Sequence, residues 1–292
     1  RADEAVPLPG TGPRAYLDGE AILAAARAVG ADAIHPGYGF LSENAAFARA
    51  CAQAGVRFIG PSPQVLDLFG DKARARALAH EAGIPIVNGT RGATSLEDAQ
   101  AFFAALPPSH GMMIKAVAGG GGRGMRAVHE AQAIAEAYAR CVSEATAAFG
   151  SGDVYVEALV PTPRHIEIQI AGDGNGNLIH LFERECSLQR RHQKVIEEAP
   201  AANLSGALRD KMAADAVRLG KRLNYRGVGT VEFILGGDRY FFLEVNPRLQ
   251  VEHPVTEMVT GIDLVAEQLK IAAGQKLSIK QSDVVLTGHA IE

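Results

Sequence analysis

The stretch from Thr230 to Pro254 constrains the fold of this chain more than any other part of the sequence. Residues 230–235 are rich in β-branched and aromatic side chains, residues 236–238 supply turn chemistry, and residues 239–245 form a second β-rich run. This pattern predicts a β-hairpin, which we expect to continue as an extended segment as far as Pro254.

Two carboxylates fall on one face of the predicted hairpin. Strand side chains alternate between faces, so Tyr240, Phe242 and Glu244 share a face and Asn246 follows in phase. A tight turn places Glu232 opposite either Phe242 or Glu244, and both registers bring like charges onto neighbouring strands. Hard oxygen ligands from Glu232, Glu244 and Asn246 suit Mg²⁺ or Mn²⁺ carrying phosphate oxygens. We therefore predict a metal site rather than two unrelated surface glutamates.

Length, charge and cysteine usage narrow the class of protein. The 292 residues suggest about two domains. The net charge of −4 gives no indication of a basic surface that would bind nucleic acid or an acidic membrane. No apolar run approaches the length of a membrane span. The three scattered cysteines lack the spacing of a zinc site or a disulfide framework, which favours a reducing compartment. We expect a cytoplasmic protein, or a mitochondrial matrix protein if the source is eukaryotic, with neither nucleic acid nor membrane as a partner.

Helix and strand candidates alternate at the start of the chain. Residues 20–29 predict a helix, residues 31–35 a strand, a helix capped by Ser42 follows, and residues 56–59 predict another strand. This alternation is typical of an α/β fold with a parallel sheet. The loop 35–40 (HPGYGF) follows a strand, where ligands gather in open α/β sheets, although its glycines could equally serve a tight turn.

The next part of the chain predicts helices and then a buried strand. Residues 60–85 predict helices interrupted at Gly70-Asp71-Lys72, and residues 94–105 predict another helix. Residues 112–117 predict an apolar strand that carries Lys115. A lysine inside such a strand needs a partner for its charge.

A glycine-rich loop follows this strand at residues 118–125 (AGGGGRGM). It matches G-x-G-x-x-G, but a strand at residues 125–128 follows where a dinucleotide site requires a helix, so we reject that reading. Glycine backbones can approach phosphates closely and direct N–H groups at them. We predict a phosphate-contacting lid loop between two antiparallel strands; the alternative is a hairpin tip without a ligand.

Strands dominate the second half of the chain. After a helix at 130–149 and a strand at 154–160, residues 164–171 alternate cleanly, with His165, Glu167 and Gln169 on one face. A turn and a return strand predict an antiparallel sheet, and hence a second domain. Helices are predicted at residues 205–223 and 262–273, and residues 284–292 are β-like.

Residues 183–198 (ERECSLQRRHQKVIEE) concentrate positive charge in an otherwise acidic protein. The cations are Arg184, Arg190, Arg191, His192 and Lys194. Gln189 and Gln193 are interleaved with them, which suits several hydrogen bonds to an anion. We predict an anion-binding patch here, against the alternative of a solvated charged face.

Six segments of the sequence resemble the biotin carboxylases of the ATP-grasp superfamily. They are ADAIHPGYGFLSEN, FIGPSPQVLDLFGDK, MIKAVAGGGGRGMR, PRHIEIQIAGDGNGN, LFERECSLQRRHQKVIEEAP and FLEVNPRLQVEHPVTEM. The glycine loop and metal hairpin occur in many ATP-grasp ligases, whereas RRHQK together with NPRLQVEHPVTE is much more specific. The resemblance implies mixed α/β and α+β architecture. The expected divisions are an N-terminal α/β domain at 1–60, a helical linker at 61–86, a lid with the glycine loop at 87–160, and a C-terminal ATP-grasp domain at 161–292.

The resemblance also implies roles for individual residues. The implied ATP contacts are Lys72, Lys115, Gly121, Gly122, Glu157, Val160, His165, Gln189, His192, Glu232 and Glu244. The implied bicarbonate pocket consists of Lys194, Arg248, Gln250 and Val251, and the implied metal ligands are Glu232, Glu244 and Asn246. The implied catalytic residues are Arg248, Lys194 and Glu252, with Glu252 as the general base that deprotonates bicarbonate.

The activity that this resemblance implies is the ATP-dependent carboxylation of biotin on a carrier protein, with bicarbonate as the carbon source and carboxyphosphate as the intermediate. The implied cofactors are ATP and Mg²⁺ or Mn²⁺, with two ions expected, and biotin enters as the substrate. The implied partners are a biotin carboxyl carrier domain, a carboxyltransferase domain or subunit, and further copies of the chain in a homo-oligomer.

Two alternatives stay open at this point. One is another ATP-grasp ligase, such as a carbamoyl-phosphate synthetase, which RRHQK and QVEHP argue against. The other is a non-catalytic nucleotide-binding module, which the joint presence of the metal and bicarbonate residues disfavours. Because members of the family begin upstream of Arg1 and continue beyond Glu292, we expect an incomplete domain without a complete biotin site.

Overall fold

The computed structural model describes residues 2–108, 110–118 and 124–292. Within these ranges the strands form a two-stranded parallel sheet, a three-stranded antiparallel sheet and a six-stranded antiparallel sheet. This is the mixed α/β and α+β architecture that the sequence predicts. The domain boundaries at 60/61, 86/87 and 160/161 stay predictions.

The N-terminal part alternates helices and strands as predicted. Its elements are a 3₁₀ turn Pro13–Leu17, α1 Gly19–Ala28, β1 Ala33–Ile34, α2 Ala45–Gln53 and β2 Arg57–Phe58. The two strands pair in parallel. The prediction that Ser42 caps α2 was wrong, because Asn44 does so by accepting a hydrogen bond from the Phe47 N–H at 2.8 Å. Ser42 lies buried in the turn that precedes the helix.

The predicted break at Gly70-Asp71-Lys72 separates two helices. They are α3 Pro63–Phe69 and α4 Lys72–Glu81, and α5 Leu96–Ala104 follows. The break is stable because the Asp71 carboxylate accepts hydrogen bonds from the N–H groups of Ala73 and Arg74, which caps α4. Lys72 therefore occupies the first position of a helix whose place is fixed by its cap.

The three-stranded sheet has the order β4-β3-β5. Its strands are β3 Met112–Ala116, β4 Met125–Val128 and β5 Val154–Ala158, and the long helix α6 Ile134–Phe149 packs on it after a 3₁₀ turn Ala131–Ala133. The antiparallel pairing of β3 with β4 is as predicted. The predicted phosphate contacts Gly121 and Gly122 lie between these strands, outside the described residues.

The six-stranded sheet holds most of the polar residues singled out from the sequence. Its order is β10-β9-β6-β7-β8-β11. The strands are β6 Arg164–Asp173, β7 Leu178–Arg190, β8 Gln193–Ala199, β9 Arg226–Gly236, β10 Arg239–Asn246 and β11 Ala290–Ile291. The helix α7 Gly206–Arg222 packs on one face, where Ile166, Ile168 and Phe233 are fully buried. The polar members of the alternating strands therefore lie on the other face.

The C-terminal part departs from the prediction in two places. The extended segment ends at the helix α8 His253–Thr260, because Pro254 occupies the first turn, where its missing N–H breaks no helical hydrogen bond. After α9 Leu264–Ala272 and a 3₁₀ turn Gln281–Asp283, the predicted β-like end forms a strand only at Ala290–Ile291, paired with β8. Among the described residues, we find no helix with the length and apolarity needed to cross a membrane.

Candidate active site

Three glutamates on adjacent strands form a row across the polar face of the large sheet. Glu244 on β10 pairs with Glu232 on β9, and Glu232 pairs with Glu167 on β6. A β-bulge between Phe242 and Glu244 sets this register and excludes the alternative in which Glu232 lies opposite Phe242. We call Glu244, Glu232 and Glu167 the acidic row. Like charges directly opposite one another repel, so the row requires cations beside it.

Lys194 is the central cation of the site. Its Nζ lies 2.5 Å from Glu167 Oε2, 2.9 Å from Glu232 Oε1 and 2.6 Å from Glu252 Oε1. An ammonium has three N–H donors, so all of them are engaged by carboxylates. Burial alone would lower the pKa of Lys194, but the charges of Glu167 and Glu232 raise it above its ordinary value, so the side chain stays charged.

Glu232 sits at the middle of the acidic row and receives the largest number of contacts. Its Oε1 accepts hydrogen bonds from Lys194, Asn246 Nδ2 at 2.6 Å and Gln250 Nε2 at 3.1 Å. Its Oε2 lies 2.9 Å from His165 Nε2 in an ion-pair contact. Burial would raise the pKa of Glu232, but His165 and Lys194 outweigh it and hold that pKa well below its usual range.

The same ion pair shifts the pKa of His165 in the opposite direction from that of Glu232. Burial lowers the pKa of His165, but the charge of Glu232 overcomes this and raises it above its ordinary value. Gln189 Nε2 lies 3.1 Å from His165 Nδ1, which joins that predicted ATP contact to the same group. At the other end of the acidic row, Lys72 Nζ lies 3.2 Å from Glu244 Oε2.

Arg248 links the end of the hairpin to the N-terminal part of the chain. Its Nη2 donates to Asn246 Oδ1 at 3.1 Å, and its Nε donates to Glu43 Oε1 at 2.6 Å. Glu43 precedes α2, so this contact spans 205 residues of sequence. The network that results connects the following predicted site residues: His165, Gln189, Lys194, Glu232, Asn246, Arg248, Gln250 and Glu252. Lys72 and Glu244 form a separate ion pair beside it, where Glu244 is the cross-strand partner of Glu232.

The remaining predicted residues lie apart from this network. His192 is exposed at the turn between β7 and β8, Val251 is 52% exposed, and Val160 follows β5 by two residues. The prediction of a single basic patch was wrong. Arg184 is fully buried and Lys194 largely so, whereas Arg190 and Arg191 are exposed at the hairpin tip. Arg184 lies within the sheet opposite Glu167 on β6, whereas Arg190 and Arg191 lie where β7 turns into β8, at the end of the hairpin.

A second buried cluster joins α4 to the three-stranded sheet. Glu157 on β5 forms an ion pair with Lys115 on β3, so Glu157 is the partner that the charge of this buried lysine requires. Arg76 Nη1 lies 3.0 Å from Glu157 Oε2, and its Nη2 donates to the Val87 carbonyl at 2.9 Å. Its guanidinium also lies 5.6 Å from the centre of the Tyr155 ring. Nothing in the sequence singles out Arg76, because an arginine within a polar helix is usually solvated.

We predict that Arg76→Met lowers the free energy of unfolding by about 2–4 kcal/mol, because it leaves one Glu157 oxygen and the Val87 carbonyl unpaired in a buried place. Urea unfolding measures this. Arg49→Met is the matched control, since Arg49 pairs with Asp67 where both side chains are more than two-fifths exposed. It should leave the free energy of unfolding close to that of the wild type, because an exposed ion pair contributes little to stability. Equal losses for the two variants would contradict the assignment of a structural role to the buried cluster.

The oxygen donors of the hairpin fit a hard divalent cation. Glu232 and Glu244 are cross-strand partners, Asn246 follows two residues later on the same face, and carboxylate and amide oxygens are the ligands that Mg²⁺ prefers. In the present arrangement Asn246 directs its amide nitrogen at Glu232 and its oxygen at Arg248. Its predicted role as a metal ligand therefore requires the amide oxygen to leave Arg248.

Comparison with known proteins agrees with this geometry. Residues 1–66 match the family "Biotin carboxylase, N-terminal domain", and residues 71–280 match the family "Carbamoyl-phosphate synthase L chain, ATP binding domain". A biotin carboxylase from Pseudomonas aeruginosa is 49% identical over 294 residues, covering all of this chain and 65% of its own length. The chain belongs to the biotin carboxylase family of ATP-grasp proteins. A pyruvate carboxylase from Bacillus subtilis is 51% identical over 302 residues, covering all of this chain and 26% of its own.

A solved relative shares the fold in detail. The biotin carboxylase domain dimer of the 2-oxoglutarate carboxylase from Hydrogenobacter thermophilus superposes with a TM-score of 0.92 at 44% identity. The superposition covers 97% of this chain and 62% of the Hydrogenobacter chain. That domain was solved in complex with MgADP, ADP and bicarbonate. The chain thus spans about two thirds of the separate biotin carboxylases and about a quarter of the pyruvate carboxylases that it matches. These relatives are carboxylases, which disfavours the carbamoyl-phosphate synthetase alternative.

Proposed function

We propose that this chain carries out the ATP-dependent carboxylation of biotin on a carrier protein, using bicarbonate and passing through carboxyphosphate. The observation that supports this best is the position of Lys194 between Glu252 and the acidic row. A cation held against a carboxylate base, with Gln250 and Arg248 beside it, is what a small oxyanion needs in order to bind and lose a proton.

The bicarbonate pocket in this proposal consists of Lys194, Arg248, Gln250 and Val251. Arg248 would hold the anion in a bidentate fork, and Lys194 would supply a point charge. Glu252 would take the proton, and Lys194, whose Nζ lies 2.6 Å from Glu252 Oε1, would give up one of its three carboxylate contacts to bind the anion. The oxygen freed by that proton transfer then attacks the γ-phosphoryl group of ATP, and ADP leaves.

ATP binding in this proposal involves both parts of the chain. Glu157 and the backbone to Val160 would contact the adenine, and Lys72, Lys115, Gly121 and Gly122 would contact the phosphates. His165, Gln189, His192, Glu232 and Glu244 complete the proposed ATP contacts. Mg²⁺ or Mn²⁺, as two ions held by Glu232, Glu244 and Asn246, would neutralise phosphate charge when bound. Lys115 would have to exchange Glu157 for phosphate, since it is paired with that residue here.

The partners in this proposal follow from the relatives. A biotin carboxyl carrier domain would bring biotin, and a carboxyltransferase domain or subunit would pass the carboxyl group on. A homo-oligomer is supported by the Hydrogenobacter domain, which is described as a dimer. The cytoplasm, or the mitochondrial matrix in a eukaryote, is the proposed location, since one relative is a mitochondrial pyruvate carboxylase of Homo sapiens.

The test uses the full protein that carries this chain, with radiolabelled bicarbonate, MgATP and a biotinylated carrier. We expect ADP release that depends on bicarbonate, together with label transferred to biotin. Formation of carbamoyl phosphate from bicarbonate and an ammonia source, without label on biotin, would favour the synthetase alternative. Calorimetric binding of MgATP without any bicarbonate-dependent turnover would favour a non-catalytic module.

A further inference from the structure

Arg184 is a fully buried arginine on β7 whose contacts all lie beneath the proposed bicarbonate pocket. We infer that Arg184 is a positioning residue: it fixes Glu167, Gln250 and α8 so that Lys194 and Glu252 meet bicarbonate correctly, without touching a substrate. This inference rests on the proposed function. The sequence pattern predicts Arg184 as part of an anion-binding patch, whereas the structure buries it completely.

Every N–H donor of the Arg184 guanidinium has an acceptor. Nε donates to Glu167 Oε1 at 2.6 Å, Nη1 to Gln169 Oε1 at 2.7 Å and Thr256 Oγ1 at 2.9 Å, and Nη2 to Thr230 Oγ1 at 3.2 Å and Gln250 Oε1 at 2.7 Å. A guanidinium has five such donors in a rigid plane. The five acceptors come from β6, β9, the segment after β10, and α8. Arg184 therefore sets the mutual position of four pieces of the chain.

The first consequence concerns the charge of Lys194. Glu167 shares its two oxygens, with Oε1 toward Arg184 and Oε2 toward Lys194. Arg184 and Glu167 are both fully buried, so the charge of each strongly affects the other. Arg184 offsets the charge of Glu167, and this leaves more of the Lys194 charge for Glu252 and an incoming anion. Without Arg184, Glu167 would hold Lys194 as a closed ion pair.

The second consequence concerns orientation. Because Arg184 takes the oxygen of Gln250, the amide nitrogen of Gln250 faces Glu232, at 3.1 Å from Oε1. Arg184 also binds Thr256, which lies one helical turn after Glu252 on the same helix end. One side chain thus fixes Gln250 directly and, through Thr256, the end of the helix that carries Glu252. Lysine, with three donors on a flexible chain, would leave at least two of the five acceptors unpaired.

The test measures initial rates of bicarbonate-dependent ATP hydrolysis by the full protein and by its Arg184→Lys variant. We expect the KM for bicarbonate to rise at least about ten-fold, because charge-assisted hydrogen bonds that orient the pocket are lost, while the KM for MgATP changes less than about two-fold. Arg209→Lys is the matched control. Arg209 also pairs with a fully buried glutamate of β7, Glu183, but outside the pocket network. It should leave both KM values unchanged.

The outcomes separate this inference from the proposed function. A wild-type protein without bicarbonate-dependent turnover contradicts the proposed function itself. If wild type turns over, an unchanged bicarbonate KM in Arg184→Lys, or equal rises in both KM values, overturns the positioning role. If circular dichroism shows that the Arg184→Lys variant does not fold, the same measurement is made on the Thr256→Val variant. It removes one acceptor and should raise the bicarbonate KM about three-fold with the MgATP KM unchanged, and no rise overturns the inference.

Discussion

Replacing Lys194 by methionine should reduce kcat/KM for bicarbonate by about 10²–10³-fold, the usual effect of removing one partner of a desolvated charge group. The reason is the number of carboxylates that share this one ammonium. Lys194 contacts Glu167, Glu232 and Glu252, so its loss exposes an incoming anion to three negative charges with less compensation. Methionine keeps most of the volume of the lysine side chain, so the change in kcat/KM reports the loss of the charge.

The measurement is the initial rate as a function of bicarbonate at saturating MgATP. Lys270→Met is the matched control, because Lys270 also pairs with a buried glutamate, Glu267, but on α9. The control should keep its rate within about two-fold, since it removes a partly exposed ion pair. A Lys194→Met variant that retains the wild-type kcat/KM for bicarbonate would remove Lys194 from the proposed pocket.

The hairpin shows what sequence pattern can and cannot predict here. Alternation alone placed Glu244 and Asn246 on one face and required a cation near the two carboxylates. It could not choose between Phe242 and Glu244 as the partner of Glu232, because the choice depends on a β-bulge of one residue. A bulge changes the hydrogen-bond pattern without changing the hydrophobic period by which a strand is recognised.

The misassigned basic run shows a second limit. Arg184 and Lys194 are close in sequence to Arg190 and Arg191, and the composition of the run gives no sign of which cations are buried. Burial follows from the pairing of β7 with β6, which places Arg184 opposite Glu167 inside the sheet, whereas Arg190 and Arg191 lie at the turn into β8. The alternation of β6, with Glu167 on the same face as His165, was the one signal in the sequence that an acidic partner was available.

Most of the other contacts that the sequence did not predict join segments that are far apart in the chain. Arg248 reaches Glu43 across 205 residues, and Arg76 reaches Glu157 across 81. Neither pair has a local sequence pattern, because the packing of whole elements brings them together. The resemblance to a family supplied the candidate residues and their proposed roles, while the coordinates supply their charge balance.

That charge balance leads to the second large effect, at Glu252. Glu252 stands at the N-cap position of α8, yet its side chain makes no capping hydrogen bond to the helix. It instead contacts Lys194 at 2.6 Å, so its carboxylate faces the proposed pocket while the helix N-terminus favours its negative charge. Only 6% of the residue is exposed, so its carboxylate is largely shielded from bulk water.

We therefore expect Glu252→Gln to lower kcat by about 10²–10⁴-fold, the usual contribution of a general base, with the Kd for MgATP unchanged. The amide can still accept a hydrogen bond from Lys194, but it cannot take the proton of bicarbonate. Single-turnover ADP formation and calorimetric titration with MgATP measure the two quantities. Glu257→Gln on the same helix is the control, because the Leu264 N–H can still bind its Oε1, and its rate should stay near that of wild type. Equal rates for Glu252→Gln and wild type would mean that the proton leaves bicarbonate by another route, and Glu252 would then serve only to hold Lys194 in place.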